Sequence, residues 1–348
     1  MLKKTVECGG FICVVAILAL ALEGSVLAAA TKEADFYKGK TIDCIVPYKT
    51  GGGYDAWVRA MSPFFGKITG ATLVIKNMPG AGSLVGTDRL FVSDPNGLTI
   101  GILNGPGVMQ AQVTEVAGVK FDLRKFTWLG RLTSEQQICC VGAKSPYKTI
   151  EAMQKTTRPV KFGAPGVGSS MFMIAALMGE LLGIKIDLIS GYETSEEVDL
   201  AVIRGELDAA WGSFSSKIDM VNNKDLVLVC QAGNVKMPEM EKVPNLGKWP
   251  GLSGENKILA DLMVAQVEIG RSMAGPPGMP VQRTQLLVEG IKKTLDDPGF
   301  LEIAKKQQME VFYMPPSELS RMIESGINLP PNVKKRFVEV LARYQPKK

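Results

Sequence analysis

The sequence predicts an α/β protein made of two lobes with largely parallel sheets. Apolar runs typical of strands alternate with segments of helical periodicity through most of the chain. Two series of predicted strands are separated by crossings near Ser134 and Leu259. A glycine-rich turn joins a strand to a helix at Gly51, and the same arrangement returns around Gly80 and Gly166. These turns indicate places where a small ligand can approach the backbone closely.

Residues 1–28 are predicted to form a secretory signal peptide. Lys3 and Lys4 precede an apolar run that ends at Leu22, and small residues follow, with cleavage expected after Ala28. The run is too short to span a bilayer, and no later stretch is both long and apolar enough to do so. The sequence therefore predicts an exported, periplasmic protein whose remaining length is enough for two domains.

The first strand series follows this leader. The spacing of Trp57, Met61 and Phe65 marks the apolar face of a helix, and Pro63 is expected to kink or shorten that helix. In the first series the predicted strands are Thr41–Pro47, Thr72–Lys76 and Leu98–Leu103, with helices at Tyr54–Lys67 and Ser83–Val92. In the second series the predicted strands are Ile138–Val141, Val160–Gly163, Ile186–Ile189, Leu207–Trp211 and Leu226–Cys230, with helices at Ser169–Leu182 and Ser195–Arg204.

The last part of the chain is predicted to return to the first lobe. Lys236–Lys257 is rich in proline, glycine and charge and is predicted to be a connecting loop, and Ala260–Val267 is predicted to be a strand. Domain 1 would then comprise residues 29–134 and 260–348, with residues 135–259 inserted as domain 2. Helices are predicted at Val281–Leu295, Pro298–Gln308, Pro316–Ser325 and Val333–Tyr344.

Composition excludes several classes of site. The 40 basic and 35 acidic residues are scattered, so the net charge of +5 is not that of a nucleic-acid-binding protein. Histidine is absent, which rules out His-based triads, His general bases and the usual His-containing zinc sites. Outside the leader the cysteines are Cys44, Cys139, Cys140 and Cys230; they lack CxxC spacing, and a disulfide among them is left open. No metal or cofactor is predicted.

The turn Gly51–Gly53 is predicted to bind an anion. Glycine lacks a Cβ, and the free N–H groups at the start of the following helix point towards whatever binds there. Asp55 either caps this helix or contacts the ligand directly, and both roles stay open. The segment Gly80–Gly86 resembles a dinucleotide fingerprint but lacks a clean acidic partner, and Gly166–Ser170 lacks the Lys-Ser/Thr of a P-loop.

With these features in place, the chain resembles the extracytoplasmic solute receptors of tripartite tricarboxylate transporters, also called Bug receptors. The family motif VPFxxGGxxD is matched by Val46–Asp55, and NxPGAGG is matched by Asn77–Ser83. A P-[DN]-G-x-T-[IL] stretch is matched by Pro95–Ile100, and GxGS is matched by Gly166–Ser169. Ile203–Asp208 matches an L-x-x-G-x-x-D segment loosely. The likeness covers essentially all of the chain after the leader.

The resemblance implies a bilobed, type II periplasmic-binding-protein fold, or Venus flytrap, whose two α/β domains are joined by a hinge. It also implies that a ligand, typically a carboxylate, is held between the lobes and handed to a membrane permease. In this family backbone N–H groups and ordered water hold one end of the ligand. The candidate ligand-binding residues are Tyr48, Gly52, Gly53, Tyr54 and Asp55 at the first turn, Gly166, Gly168, Ser169 and Ser170 at the second, and Asn104, Tyr192, Glu193 and Ser213.

The chain departs from the family pattern around these turns. Phe172 stands where the family commonly has a histidine, and Glu193 stands where it has a lysine. Lys49 adds a cation beside the first turn. Because an unpaired buried charge is costly, the exchange at Glu193 is expected to disfavour a multiply charged, citrate-like ligand. An amine-bearing or uncharged polar ligand stays open.

The predicted function is that of an exported receptor, not an enzyme, which closes on a small mono- or dicarboxylate, aromatic acids included. Its predicted partners are this ligand and the permease subunits of a tripartite transporter; no nucleic-acid partner is expected, and the chain is predicted to be a monomer. Two alternatives stay open. One is a receptor that serves a signalling partner, and the other is an exported nucleotide-binding α/β enzyme, which the absence of histidine disfavours.

Overall fold

The computed structural model describes residues 35–235 and 237–345. The predicted signal peptide, residues 1–28, lies outside the described residues. Within them the strands form two five-stranded sheets, one for each predicted strand series. The strands are β1 (Thr41–Val46), β2 (Thr72–Asn77), β3 (Thr99–Asn104), β4 (Thr127–Thr133), β5 (Gln137–Gly142), β6 (Val160–Ala164), β7 (Ile186–Ser190), β8 (Ala209–Ser213), β9 (Leu226–Ala232) and β10 (Arg271–Gly275).

The first sheet has the strand order β2-β1-β3-β10-β4. Strand β1 pairs in parallel with β2 and β3, whereas β10 runs antiparallel to β3 and β4. Since β10 follows the whole second sheet along the chain, the first sheet is assembled from two distant parts of the sequence. The carboxyl ends of β1 and β3 lie at the same edge of this sheet, because the two strands are parallel.

The second sheet has the order β7-β6-β8-β5-β9 and repeats the same plan. Strand β6 pairs in parallel with β7 and β8, and β5 runs antiparallel to β8 and β9. Each sheet is therefore mixed, with parallel and antiparallel pairs in equal number. The predicted α/β architecture with two sheets is confirmed, but the sheets were expected to be largely parallel, whereas half of the strand pairs in each are antiparallel.

Helices cover both sheets. The helix that follows β1 runs without a break for 17 residues through Pro63, so the expectation that proline would shorten it was wrong. Its buried residues Trp57, Met61 and Phe65 lie on both sides of Pro63 and pack into the core beside the first sheet, which holds the helix together. The helices are α1 (Gly53–Thr69), α2 (Leu84–Phe91), α3 (Gly105–Val113), α4 (Ile150–Gln154), α5 (Ser170–Leu182), α6 (Ser195–Arg204), α7 (Phe214–Asn222), α8 (Gly254–Ile269), α9 (Val281–Leu295), α10 (Pro298–Lys306), α11 (Pro316–Ile327) and α12 (Pro331–Tyr344).

The strand predicted at Ala260–Val267 is wrong, because these residues belong to helix α8. A short apolar run fits a buried helix as well as a buried strand, and α8 packs against α3, α5 and α11, so its apolar residues are buried on several sides. The true strand β10 begins two residues after the helix ends. The predicted domain boundary between residues 259 and 260 lies inside this helix. Strand β4 and helices α3, α4 and α7 were not predicted.

Ionic contacts fasten the chain where it crosses between the sheets. Arg131, within β4, places Nη1 3.3 Å from Glu268 Oε2 near the end of α8. The other oxygen of Glu268 accepts the backbone N–H of Asn234, just beyond β9, at 2.7 Å. One buried side-chain pair thus connects three separate passages of the chain between the two sheets.

A continuous hydrophobic core extends across both sheets. It includes Leu103 and Val108 from the first sheet and its helix, and Phe162 and Phe172 from the second. Helix α12 packs on α5, which brings the end of the chain onto the second sheet. Within the described ranges, no helix combines the length and the apolar character needed to cross a membrane.

Candidate functional site

The first glycine turn lies between β1 and α1. Gly51 has a φ of +91°, a conformation that favours glycine, and Gly52 takes the N-cap position without a side-chain cap. Asp55 is buried and fastens this turn: its Oδ2 accepts from Gly51 N at 2.9 Å and from Arg59 Nε at 2.7 Å. Its Oδ1 accepts from Asn77 Nδ2 at 3.0 Å. Burial alone raises the pKa of Asp55, but these hydrogen bonds hold it below its ordinary value.

A buried ion pair between Arg271 and Glu135 contacts this turn from the side of the first sheet. Arg271, the first residue of β10, donates through Nε to Glu135 Oε1 at 2.7 Å and through Nη1 to the Gly53 carbonyl at 2.9 Å. Its guanidinium lies 4.7 Å from the centroid of the Tyr54 ring, which stacks on Tyr48 at 4.7 Å. A Cβ on Gly53 would lie 3.0 Å from Arg271 Nη2, so a side chain at this position would require the guanidinium to shift by a few tenths of an ångström.

Burial and the nearby Glu135 carboxylate raise the pKa of both Tyr48 and Tyr54 well above the ordinary value. The two phenols are therefore neutral at physiological pH and retain a proton to donate. Burial alone lowers the pKa of Arg271, but Glu135 raises it above the ordinary value, so the guanidinium keeps its charge. The cluster thus combines two phenol donors with a charge-balanced ion pair.

Two more polar side chains border Tyr48. Asn104 donates from Nδ2 to Tyr48 Oη at 2.7 Å and accepts from Gly107 N at 3.3 Å as the N-cap of α3. Ser83 is buried beside Tyr48 in a left-handed conformation, with a φ of +97° that is uncommon for serine. The hydroxyls of Ser83 and Tyr54 make no hydrogen bond of ordinary geometry with any described residue. The Ser83 hydroxyl has Tyr48 as its polar neighbour, and the Tyr54 hydroxyl has Glu135. Local backbone strain of the kind seen at Ser83 is a feature of ligand sites.

The second glycine turn joins β6 to α5 in the other sheet. Ser169 is the N-cap of α5: its Oγ accepts from Phe172 N at 3.2 Å and donates to the Gly166 carbonyl at 2.7 Å. Ser170 occupies the first helical position and is partly exposed. A Cβ on Gly166 would meet nothing within 4 Å, so this glycine borders open space. Phe172, which stands at the family's histidine position, is fully buried in the core.

The turns of the two sheets touch one another. A Cβ on Gly82 would lie 3.3 Å from the backbone of Gly168, and Gln110 Nε2 donates to the Val167 carbonyl at 2.7 Å. The structure therefore brings the Gly80–Gly82 segment and helix α3 against the second glycine turn, and Asn104, the N-cap of α3, connects this contact to Tyr48 beside the first turn.

An ion pair closes the outer side of this boundary. Lys49 Nζ, beside the first turn, lies 2.5 Å from Glu193 Oε2, beside the turn that leads into α6. Both side chains are largely exposed. The Lys49 contact lowers the pKa of Glu193, and Glu193 raises that of Lys49, so both are charged at neutral pH. Glu193, which was expected to stand at the position of a family lysine, is thus paired with a cation of this chain.

Two predicted residues lie apart from these contacts. Tyr192 packs against the core of the second sheet, where its ring lies 3.6 Å from a Cβ built on Gly163. Ser213 donates to Ser216 Oγ at 2.9 Å. It lines a cavity of about 20 Å³, enough for about one water molecule, which also borders Glu135 and Arg271 on the side of the chain crossings.

Four residues of the site were not predicted: Ser83, Gln110, Glu135 and Arg271. The position of Arg271 soon after a strongly apolar segment is a signal that could have identified it. That segment, Ala260–Val267, was predicted to be a strand, so β10 was not predicted. Cys44, Cys139, Cys140 and Cys230 are buried free thiols, and burial raises the pKa of Cys44 and Cys140 to about 12. The described part of the chain contains no cluster of acidic and sulfur ligands suited to a metal ion.

Comparison with known proteins places the chain in a family. The family profile described as tripartite tricarboxylate transporter family receptor matches residues 58–336. A UPF0065 protein from the tcbD–tcbE intergenic region of Pseudomonas sp. strain P51 is 22% identical over 316 residues, which cover 90% of each chain.

Two solved structures share the fold. The periplasmic binding protein BugD has a TM-score of 0.71 at 18% identity and covers 87% of this chain and 98% of its own. MatC from Rhodopseudomonas palustris, solved with bound malate, has a TM-score of 0.68 at 18% identity and covers 87% and 99%. At these identities the likeness establishes the bilobed binding-protein fold. The profile match extends over most of the sequence, and the chain therefore belongs to the tripartite tricarboxylate transporter receptor family, whose members are binding proteins rather than enzymes.

Proposed function

We propose that this protein is an exported receptor that captures a small mono- or dicarboxylate between its two sheets and presents it to the permease of a tripartite transporter. The observation that carries the proposal is that the second glycine turn contacts the Gly80–Gly82 segment and α3 of the first sheet, while Lys49, beside the first glycine turn, pairs with Glu193 of the second sheet. The N–H groups at the start of α1 and α5 lack partners within their helices, and the helix dipoles favour an anion there. An anion between the turns would thus be bound from both sheets.

The donors around this boundary suit a carboxylate. Tyr48 and Ser170 are partly exposed and offer hydroxyl groups, Tyr54 and Ser83 have buried ones, and Gly52, Gly53 and Gly166 leave the backbone accessible. A hydrogen bond to a charged group contributes about 1.5–3 kcal/mol, so a few of them suffice for micromolar affinity. MatC, whose fold is similar, was solved with malate, a dicarboxylate, which supports the same ligand class for this chain.

Capture would involve closure of the lobes. The bond from Gln110 of α3 to the Val167 carbonyl and the Lys49–Glu193 pair belong to an arrangement in which the two sheets meet at this boundary. A ligand that binds both turns shifts the population towards this closed arrangement, because it gains contacts there that an open one lacks. The closed surface would then be recognised by the permease.

A thermal-shift screen of the chain without residues 1–28 tests the proposal. The panel includes malate, adipate, benzoate, amino acids and dinucleotides. A ligand present at a hundred times its dissociation constant should stabilise the protein by about 2.7 kcal/mol. We expect stabilisation by one or more carboxylates and none by dinucleotides. Stabilisation by dinucleotides alone, or by no carboxylate at millimolar concentration, would contradict the proposal.

A further inference from the structure

The cations that contact the first glycine turn from below and from α1 are each matched by a carboxylate. Arg271 pairs with Glu135 at 2.7 Å, and both side chains are more than nine-tenths buried. Arg59 pairs with Asp55 at 2.7 Å, where the carboxylate is buried and held in its ionised form. These pairs organise the turn, but they leave no net positive charge beneath it for a ligand.

Lys49, the cation on the outer side of the boundary between the sheets, is also paired with a carboxylate. Lys49 is paired with Glu193 of the opposite sheet at 2.5 Å. Glu197 lies in the same group, since its Oε2 accepts the backbone N–H of Glu193 at 2.8 Å and its charge acts on Lys49. Among the residues that the structure describes, the three ion pairs and Glu197 together comprise four carboxylates and three cations, an excess of one carboxylate.

Positive potential for a ligand then comes from the backbone. The N-terminus of a helix is equivalent to about half a positive charge, and the two helices α1 and α5 together supply about one. We propose that the site is selective for a ligand with a single negative charge, and that Glu193 enforces this selectivity by neutralising Lys49. This inference rests on the proposed function and narrows its ligand class to monoanions.

A second carboxylate on the ligand would meet unfavourable surroundings. It would lie between the turns, where the described cations are all paired, and would experience repulsion from Glu193 and Glu197. Exposed charges at such distances alter an equilibrium about two- to fivefold each. Removing the charge of Glu193 would release Lys49 to act on the second carboxylate, whereas removing the charge of Lys49 would leave Glu193 uncompensated.

The test compares two ligands of the same length that differ by one charge, adipate and its monomethyl ester, by isothermal titration at pH 7.5. We expect the monoester to bind more tightly than adipate to the wild-type chain. Glu193→Gln should shift the ratio of the two dissociation constants about two- to fivefold towards adipate, and Lys49→Gln should shift it in the opposite direction. Glu196→Gln is the matched control, because it removes the same charge from the first turn of α6 and leaves the Lys49–Glu193 contact in place.

The outcomes separate this inference from the proposed function. Tighter binding of adipate than of the monoester, or equal shifts in the Glu193 and Glu196 variants, overturns the inference and leaves the receptor function standing. Failure of both compounds to bind, together with a negative carboxylate screen, overturns both. Raising the salt concentration should reduce the shift caused by Glu193→Gln, because the pair is exposed. Melting curves of each variant confirm that the fold is retained.

Discussion

Replacing Arg271 with methionine removes one half of the buried ion pair beneath the first glycine turn. The guanidinium bonds to Glu135 and to the Gly53 carbonyl and lies over the Tyr54 ring, so its loss affects the core and the turn together. Breaking a buried pair by removing one partner costs about 3–5 kcal/mol, because the remaining charge stays buried without compensation. We expect Arg271→Met to lower the free energy of unfolding by this amount.

Urea denaturation followed by circular dichroism measures the change, read from the midpoint at an unchanged slope. The double variant Arg271→Met/Glu135→Met removes both charges and should recover most of the loss, since apolar replacement of a whole buried pair is often neutral or stabilising. Lys292→Met, which breaks the exposed pair with Asp296, is the control and should leave the midpoint nearly unchanged. A loss below about 1 kcal/mol in the single variant, or a double variant as unstable as the single, would refute the reasoning.

Three further changes probe the turns, each followed by urea denaturation. Gly53→Ala places a Cβ 3.0 Å from Arg271 Nη2 and should lower the free energy of unfolding by about 1–3 kcal/mol. Gly52→Ala is the control, because its Cβ lies 3.6 Å from the nearest backbone oxygen, and it should be nearly neutral. Equal losses of stability in the two variants would argue against the close approach. Ser169→Ala removes the cap of α5 and should cost about 0.5–2 kcal/mol, and a neutral result would mean that the cap contributes nothing. The pKa of Asp55 is lowered in the fold, so its contribution is present above the unfolded pKa of about 4 and is lost as the pH falls through the folded pKa. The midpoint should therefore fall more steeply with acid for the wild type than for Asp55→Asn, and parallel profiles would be inconsistent with this.

Local sequence patterns predicted the elements that carry the glycine turns. Strand β1 and helix α1 were placed within two residues of their observed ends, since an apolar run, three glycines and a helical apolar face follow one another directly. Helix α5 was likewise placed within one residue at its start, because Ser169 is a typical N-cap. Such elements depend on neighbouring residues, which a sequence displays.

Contacts between residues that lie far apart in the sequence could not be predicted from local patterns. Lys49 and Glu193 are separated by 144 positions, and each was interpreted alone, so their contact was not foreseen. Arg271 and Glu135, 136 positions apart, meet only because β10 enters the first sheet beside the crossing segment. The remaining error, Ala260–Val267, arose because a short apolar run does not distinguish a buried helix from a buried strand. The ligand-binding roles of the candidate residues remain predictions.

Because β10 is synthesised after the other strands of its sheet, it also determines when the protein is able to fold. During synthesis β3 and β4 are complete well before residues 271–275, the strand that lies between them, have been made. Until then two strand edges lack their shared partner, and the pairing that completes the sheet must close a loop of more than a hundred residues, which slows folding. Under the proposed export of the chain, a delay of this kind would leave time for translocation before a stable structure forms. A chain that ends at Gly270 should accordingly remain sensitive to protease across residues 41–133, whereas the complete chain should resist.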